Sequence, residues 1–74
     1  MSCPIGARIP LQSSLLSSVE YSIDATLELE FCSGAIYRYF AVPHAVFEEL
    51  LNAESKGTYF NRYIKNRFGY QRLA

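Results

Sequence analysis

From Leu15 to Phe40 apolar and polar residues alternate with a period of two, and beyond Val42 they recur at helical spacing. The chain therefore reads as strands first and helices second. In the first strand Ser17, Val19, Tyr21 and Ile23 fall on one side and Ser18, Glu20 and Ser22 on the other, with Asp24-Ala25 placed to turn the chain. Thr26 to Phe31 repeats the alternation more strictly: Leu27, Leu29 and Phe31 form an apolar face and Glu28 and Glu30 a charged one. The apolar face is assigned to the core.

Cys32-Ser33-Gly34 reverses the chain into a third strand, Ala35 to Phe40. A two-residue Ser33-Gly34 loop would need positive φ at Ser33 and would set Arg38 opposite Leu29. A three-residue loop needs positive φ only at Gly34, and this register is the favoured one. It pairs Glu28 with Arg38 and sends Tyr37 and Tyr39 to the face of Leu27 and Leu29, leaving Ile36 and Phe40 on the acidic outer face.

Val42-Pro43 closes the sheet region and opens a helix, with Pro43 suited to the first helical position. Val46, Phe47, Leu50 and Leu51 recur on one face, so this helix runs to about Ala53 and packs on the sheet. Ser55 is suited to cap a second helix, in which Tyr59, Phe60, Tyr63 and Ile64 form two i, i+4 pairs pointing inward. Arg62 and Lys65 share the opposite, solvated side. Phe68 to Leu73 finishes the chain as a short edge strand or an extended tail. Residues 1–12, with Pro4, Gly6 and Pro10 among single apolar residues, read as an irregular lead-in to one domain over residues 13–74. The expected fold is thus α+β: a small antiparallel sheet of three strands, or four if the C-terminal segment joins it, packed with two helices in the order βββαα(β).

At 74 residues, 50% hydrophobic and 15% aromatic, the chain is a single small domain whose stability rests on its five Phe and six Tyr. The formal charge of zero hides a division. Up to Ser55 two cations, Arg8 and Arg38, stand against seven acids, a net −5; from Lys56 onward Lys56, Arg62, Lys65, Arg67 and Arg72 give +5 with no acid. Such a segment either pairs with the acidic body or meets a polyanion. Cys3 and Cys32 are too few and too far apart for a disulfide framework or a metal knuckle and read as free thiols. With no apolar leader or membrane-length run at hand, the cytoplasm is the expected location and no membrane partner is expected.

Catalytic constellations are thin. His44, the single histidine, follows Pro43 at a helix start, where a surface or capping role outweighs that of a general base. Ser13 and Ser14 have no nucleophile elbow beside them. Neither enzyme activity, nor a metal, nor any other cofactor is expected. Ser55-Lys56-Gly57-Thr58 has the ingredients of an anion cradle but lacks the upstream glycine of a nucleotide-hydrolysing loop. Binding chemistry is richer. Lys56, Arg62, Lys65, Arg67 and Arg72 are placed to follow a phosphate backbone, and Tyr70, between Arg67 and Arg72, with Tyr59 and Tyr63 nearby, offers rings for base stacking. The competing reading of these aromatics is core packing.

The order of residues also resembles a known family. Ser13-Ser14, Val19-x-Tyr21, Leu27-x-Leu29-x-Phe31, Gly34-x-x-Tyr37-x-Tyr39-x-x-Val42-Pro43, Phe47-x-x-Leu50-x-x-Ala53-x-Ser55-Lys56-Gly57-x-Tyr59-Phe60-Asn61-x-x-Ile64-Lys65 and Arg72-Leu73 resemble the KTSC domain over about residues 10–73. That domain is named for the C-terminus of some lysyl-tRNA synthetases and also occurs as a stand-alone bacterial or phage-type protein. Leu15, Glu20 and Ser22 depart from its usual Asn, Gly and Asp. The resemblance implies RNA binding, with Tyr37, Tyr39, Lys56, Tyr59 and Asn61 among the matching positions. Two functions therefore stand side by side: a non-catalytic module for tRNA or another structured RNA, and a protein-interaction or homodimerisation module using the outer sheet face or an edge.

Overall fold

The computed structural model describes residues 6–74. Its elements run β1 (Arg8–Pro10), β2 (Leu16–Tyr21), β3 (Leu27–Phe31), β4 (Ile36–Tyr39), α1 (His44–Asn52), α2 (Lys56–Tyr59), a π-helical turn (Phe60–Ile64) and β5 (Tyr70–Arg72). The strands form one antiparallel five-stranded sheet in the order β1-β2-β3-β4-β5. The fold is α+β, as the pattern predicts, with five strands rather than three or four.

The extra strand comes from the segment expected to be irregular. Arg8, Ile9 and Pro10 pair with Glu20, Val19 and Ser18. Pro10 lacks an N–H to donate, which an edge position tolerates. The first five residues of the lead-in, with Cys3, lie outside the described residues. At the other end β5 joins β4, Tyr37 facing Arg72 and Tyr39 facing Tyr70. Of the two readings of this segment, the edge strand is the one observed.

The β3–β4 hairpin adopts the three-residue loop. Gly34 has φ +96°, its N–H donates to the Phe31 carbonyl at 2.9 Å, and Glu28 faces Arg38 while Leu29 faces Tyr37. A second turn, between β2 and β3, puts Ala25 at φ 66° and closes with Ser22 N–H donating to the Thr26 carbonyl at 2.9 Å. Because β2 ends at Tyr21, Ile23 is not the inward residue that continued alternation predicts; it is 91% exposed. A register shift between Leu16 and Ser18 likewise gives Leu16, not Ser17, the core position.

One sheet face carries the core. Leu16, Val19, Tyr21, Leu27, Leu29 and Tyr39 pack against Val42, Phe47, Leu50, Phe60 and Ile64. Tyr21 stacks on Phe47 with centroids 4.9 Å apart and donates its hydroxyl to the Val42 carbonyl at 2.6 Å. Pro43 stands at the N-cap of α1, one position before the expected first turn, and Ala53 is the C-cap. Ser55 caps α2, its Oγ accepting from the Thr58 N–H at 3.3 Å. The following turn closes i to i+5, Lys65 N–H to Phe60 carbonyl at 2.8 Å. In that wider winding Phe60 and Ile64 reach the core, whereas Tyr63, expected inward, is 52% exposed and lies against Tyr59 with centroids 4.8 Å apart.

The other sheet face is polar. Glu28 receives hydrogen bonds from Arg8 and from Arg38, the latter at 3.1 Å, and Arg8 also lies 3.5 Å from Glu20. Burial pushes the Glu28 carboxyl up, but the hydrogen bonds and charges of Arg8 and Arg38 outweigh it and hold the group below its ordinary value. Ser18, buried on this side, bridges the same network by accepting from Arg8 at 3.3 Å and donating to Glu30 at 3.1 Å.

Candidate functional site

β4 and β5 on one side and the π-helical turn on the other leave a groove of about 490 Å³. Tyr37 and Tyr39 reach it from β4, Tyr70 and Arg72 from β5, and Asn61 and Lys65 from the turn. The local sequence explains the convergence. Tyr37 and Tyr39 lie two apart on the core-side face of a strand, and Tyr70 and Arg72 are their cross-strand partners. Asn61 from the turn and Lys65, its C-cap, both line the groove while Phe60 and Ile64 fill the core. No Asp or Glu lines the groove.

Its floor is aromatic. Tyr37, Tyr39 and Tyr70 are mutual neighbours, Tyr70 lying 5.7 Å from each of the other two between centroids. Phe60 meets Tyr39 edge-on at 5.8 Å and Phe31 at 5.2 Å. Tyr39 is 4% exposed, Tyr37 half-buried and Tyr70 56% exposed. Burial, then the neighbouring Tyr37 and Tyr70, push the Tyr39 hydroxyl up to about 12. The Arg72 guanidinium lies over the Tyr37 ring, 5.7 Å from its centroid, and its Nε donates to the Ala74 carbonyl at 2.9 Å.

Six of the residues singled out in the sequence thus meet in one place: Tyr37, Tyr39, Asn61, Lys65, Tyr70 and Arg72. The others lie elsewhere. Arg62 and Arg67 are exposed but do not line the groove. Lys56 turns back to donate to the Ala53 carbonyl at 3.1 Å, where it meets the C-terminal end of α1. Tyr59 donates to Glu49 at 2.7 Å, and burial together with that hydrogen bond and charge pushes its hydroxyl up to about 12. The anion cradle is not formed, since Ser55 Oγ already holds the Thr58 N–H and Lys56 faces away. Asn66, also at the groove, escaped the sequence reading; at φ 63°, in the left-handed region Asn tolerates, it marks where the chain leaves the turn.

Among the described residues no Asp or Glu lies within 4.0 Å of Lys56, Arg62, Lys65, Arg67 or Arg72, and residues 1–5 contain no acid. Both upstream arginines, by contrast, are engaged by Glu28. No ion pair joins the basic segment to the acidic body among the described residues. Among the described residues there is no group of three or more His, Cys, Asp or Glu placed to hold a metal ion, and no helix long and apolar enough to cross a membrane. His44 is exposed, edge-on to Tyr21 at 5.5 Å, with Nδ1 3.6 Å from Glu48. Cys32 is a free, exposed thiol.

Ser13, the first serine of the motif, has a local task. Ser13 Oγ accepts from the N–H groups of Leu15 and Leu16 at 3.1 and 3.3 Å and so shapes the corner leading into β2. That corner lies against Gly57, so two separated parts of the motif meet in packing.

A family profile described as the KTSC domain matches residues 12–68. The chain is 47% identical over 64 residues to a lysine–tRNA ligase of Trichormus variabilis, an alignment covering 85% of this chain and 11% of the ligase. It thus spans about a tenth of the length of that relative. It is also 47% identical over 68 residues to an uncharacterised protein of Stutzerimonas stutzeri, covering 89% of this chain and 96% of that one. Among solved structures, a KTSC domain protein from Yersinia pestis superposes with a TM-score of 0.88 at 30% identity, covering 92% of this chain and 97% of that one. On sequence and fold together, the chain belongs to the KTSC domain family.

Proposed function

We propose that the domain is a non-catalytic RNA-binding module that takes tRNA or another structured RNA on its basic C-terminal segment. The observation that carries this reading is the set of five cations from Lys56 to Arg72, none within ion-pair distance of an Asp or Glu among the described residues, while Arg8 and Arg38 are engaged by Glu28. Lys65 and Arg72 border an aromatic groove, and Arg62 and Arg67 extend the positive surface beyond it. Phosphate contacts of this kind position a nucleic acid, and aromatic rings beside them read unpaired bases. The kinship with a segment of lysine–tRNA ligases makes tRNA the first RNA to try.

The test is fluorescence anisotropy of labelled tRNA and of a matched DNA duplex, titrated with the protein at two salt concentrations. The expected result is binding that prefers tRNA and weakens steeply with salt, because each phosphate contact releases counterions. Absence of binding at the lower salt would overturn the reading. Equal affinity for the DNA duplex would reduce it to general polyanion attraction.

A further inference from the structure

We infer that the groove between β4, β5 and the π-helical turn receives a single unpaired nucleotide, its base stacked on Tyr70 and its phosphate held by Lys65 and Arg72. This deepens the RNA-binding reading and rests on it.

Three features of the groove converge on that occupant. The first is charge: Lys65 and Arg72 border it and no acid does, which suits an anionic ligand in a chain whose remaining surface carries seven acids. The second is ring access. Tyr70 is 56% exposed, so its ring is open to a planar partner, whereas Arg72 already lies over Tyr37 and the Tyr39 ring is buried. A base can reach such a ring only when it has left its own stack, which single strands, loops and ends allow and duplexes do not. The third is size. About 490 Å³ falls in the lower part of the range of small-ligand clefts, roughly 300–1,000 Å³. A cleft of that size suits one nucleotide better than a length of chain.

Polar groups complete the fit. Asn61 and Asn66 supply amide donors and acceptors at the rim, suited to a base edge or a 2′-hydroxyl. Among the described residues the Tyr39 hydroxyl has no hydrogen-bond partner, while no enclosed side-chain polar atom lacks one. The small exposed part of Tyr39 therefore includes its hydroxyl, at the floor of the groove.

The experiment titrates the full chain into labelled tRNA, a short mixed-sequence single-stranded oligoribonucleotide, and the same oligonucleotide annealed to its complement. The single strand is expected to bind at least tenfold more tightly than the duplex. Tyr70→Ala is expected to weaken single-strand binding about tenfold or more, the order expected from loss of one base–aromatic stack. Tyr70→Phe retains binding, since the ring and not the hydroxyl is used. Arg72→Gln weakens binding and flattens its salt dependence, whereas Arg62→Gln, outside the groove, flattens the salt dependence with the single-strand preference intact. Circular dichroism of each variant verifies the fold. Binding of tRNA that is indifferent to Tyr70→Ala, or duplex binding equal to single-strand binding, would overturn the groove assignment and leave the RNA-binding reading standing. Failure to bind any of the three RNAs would overturn both.

Discussion

Tyr37 and Arg72 oppose each other across β4 and β5, with the guanidinium carbon 5.7 Å from the ring centroid. This contact and the packing of Tyr70 on Tyr37 and Tyr39 reinforce the backbone ladder that joins a strand of three exposed residues to the sheet. Cation–π contacts at exposed sites contribute about 0.5–1 kcal/mol. An edge strand held this way opens far more easily than the strands over the core.

Tyr37→Ala is therefore expected to loosen β5 without unfolding the domain. Hydrogen exchange should quicken at the Leu73 and Phe40 amides, which bond to Ile36 and Gly69 across β4 and β5 at 2.7 and 2.9 Å. Exchange in β2 and β3 should be unchanged. Equal protection of Leu73 in the two proteins would show that the backbone ladder alone secures the edge.

Tyr39 belongs to the core despite its tyrosine hydroxyl at the groove. Tyr39→Ala is expected to cost about 3–5 kcal/mol, enough to unfold a domain this small, while Tyr39→Phe stays folded because the hydroxyl has no protein partner among the described residues. The hydroxyl also has a pH consequence. Its folded pKa is raised to about 12 from 10.0, so the folded state keeps the proton that the unfolded chain releases. Stability is unaffected below the unfolded value and falls as pH rises from 10.0 toward 12. Tyr39→Phe should lose less stability across that window in alkaline urea titrations; an unchanged slope would place the responsible groups elsewhere, with Tyr59 the next to replace.

How far the sequence revealed all this depended on whether local rules were left undisturbed. The β3–β4 register was legible because Gly34 alone could take the positive φ, and the wrong register would have set Arg38 against Leu29. Ser55 was legible as a cap for the same local reason. Arg8–Pro10 was not, because a three-residue edge strand with one inward residue has no alternation to detect and Pro10 argues against it. Tyr63 was misplaced because helical spacing assumes α winding, and the turn after Tyr59 closes i to i+5. The groove itself was half legible: the sequence supplied its cations and tyrosines, but only the pairing of β5 with β4 brings Tyr70 and Arg72 to Tyr37 and separates them from Lys56 and Tyr59.

Gly57 opens α2 where the helix meets the β1–β2 corner. A Cβ there would stand 3.3 Å from the Leu15 Cβ, tighter than nine in ten real Cβ contacts, and the obstructing atom is not the far end of a flexible chain. Gly57→Ala gains helix propensity worth up to about 1 kcal/mol and loses a similar amount to crowding, so it should be close to neutral. Gly57→Val adds bulk that cannot be accommodated and is expected to destabilise by about 1–3 kcal/mol in urea unfolding. A fully stable Val variant would mean that the corner yields freely, leaving the glycine of the Ser-Lys-Gly motif without a packing role.

Glu28 gives the protein an acid-sensitive point on the face opposite the groove. Its pKa is lowered because the charges and hydrogen bonds of Arg8 and Arg38 outweigh the cost of its burial. A carboxylate with a depressed folded pKa contributes stability above its unfolded value, near 4.5, and loses that contribution as pH falls through the folded value. Glu28→Gln should therefore be less stable near neutral pH and show a shallower decline below 4.5. Both arginine side chains are more than a third exposed, so solvent screens the network and the neutral-pH loss should be about 1 kcal/mol or less. Urea unfolding of the two proteins across the acid range measures this directly. If their acid limbs run parallel, Arg8 and Arg38 do not lower the Glu28 pKa on folding, and the outer-face network is ornamental to stability. Because Glu28 lies on the side of the sheet away from Tyr37 and Tyr70, the same variant should bind RNA as the parent does, which separates the stabilising face from the binding one.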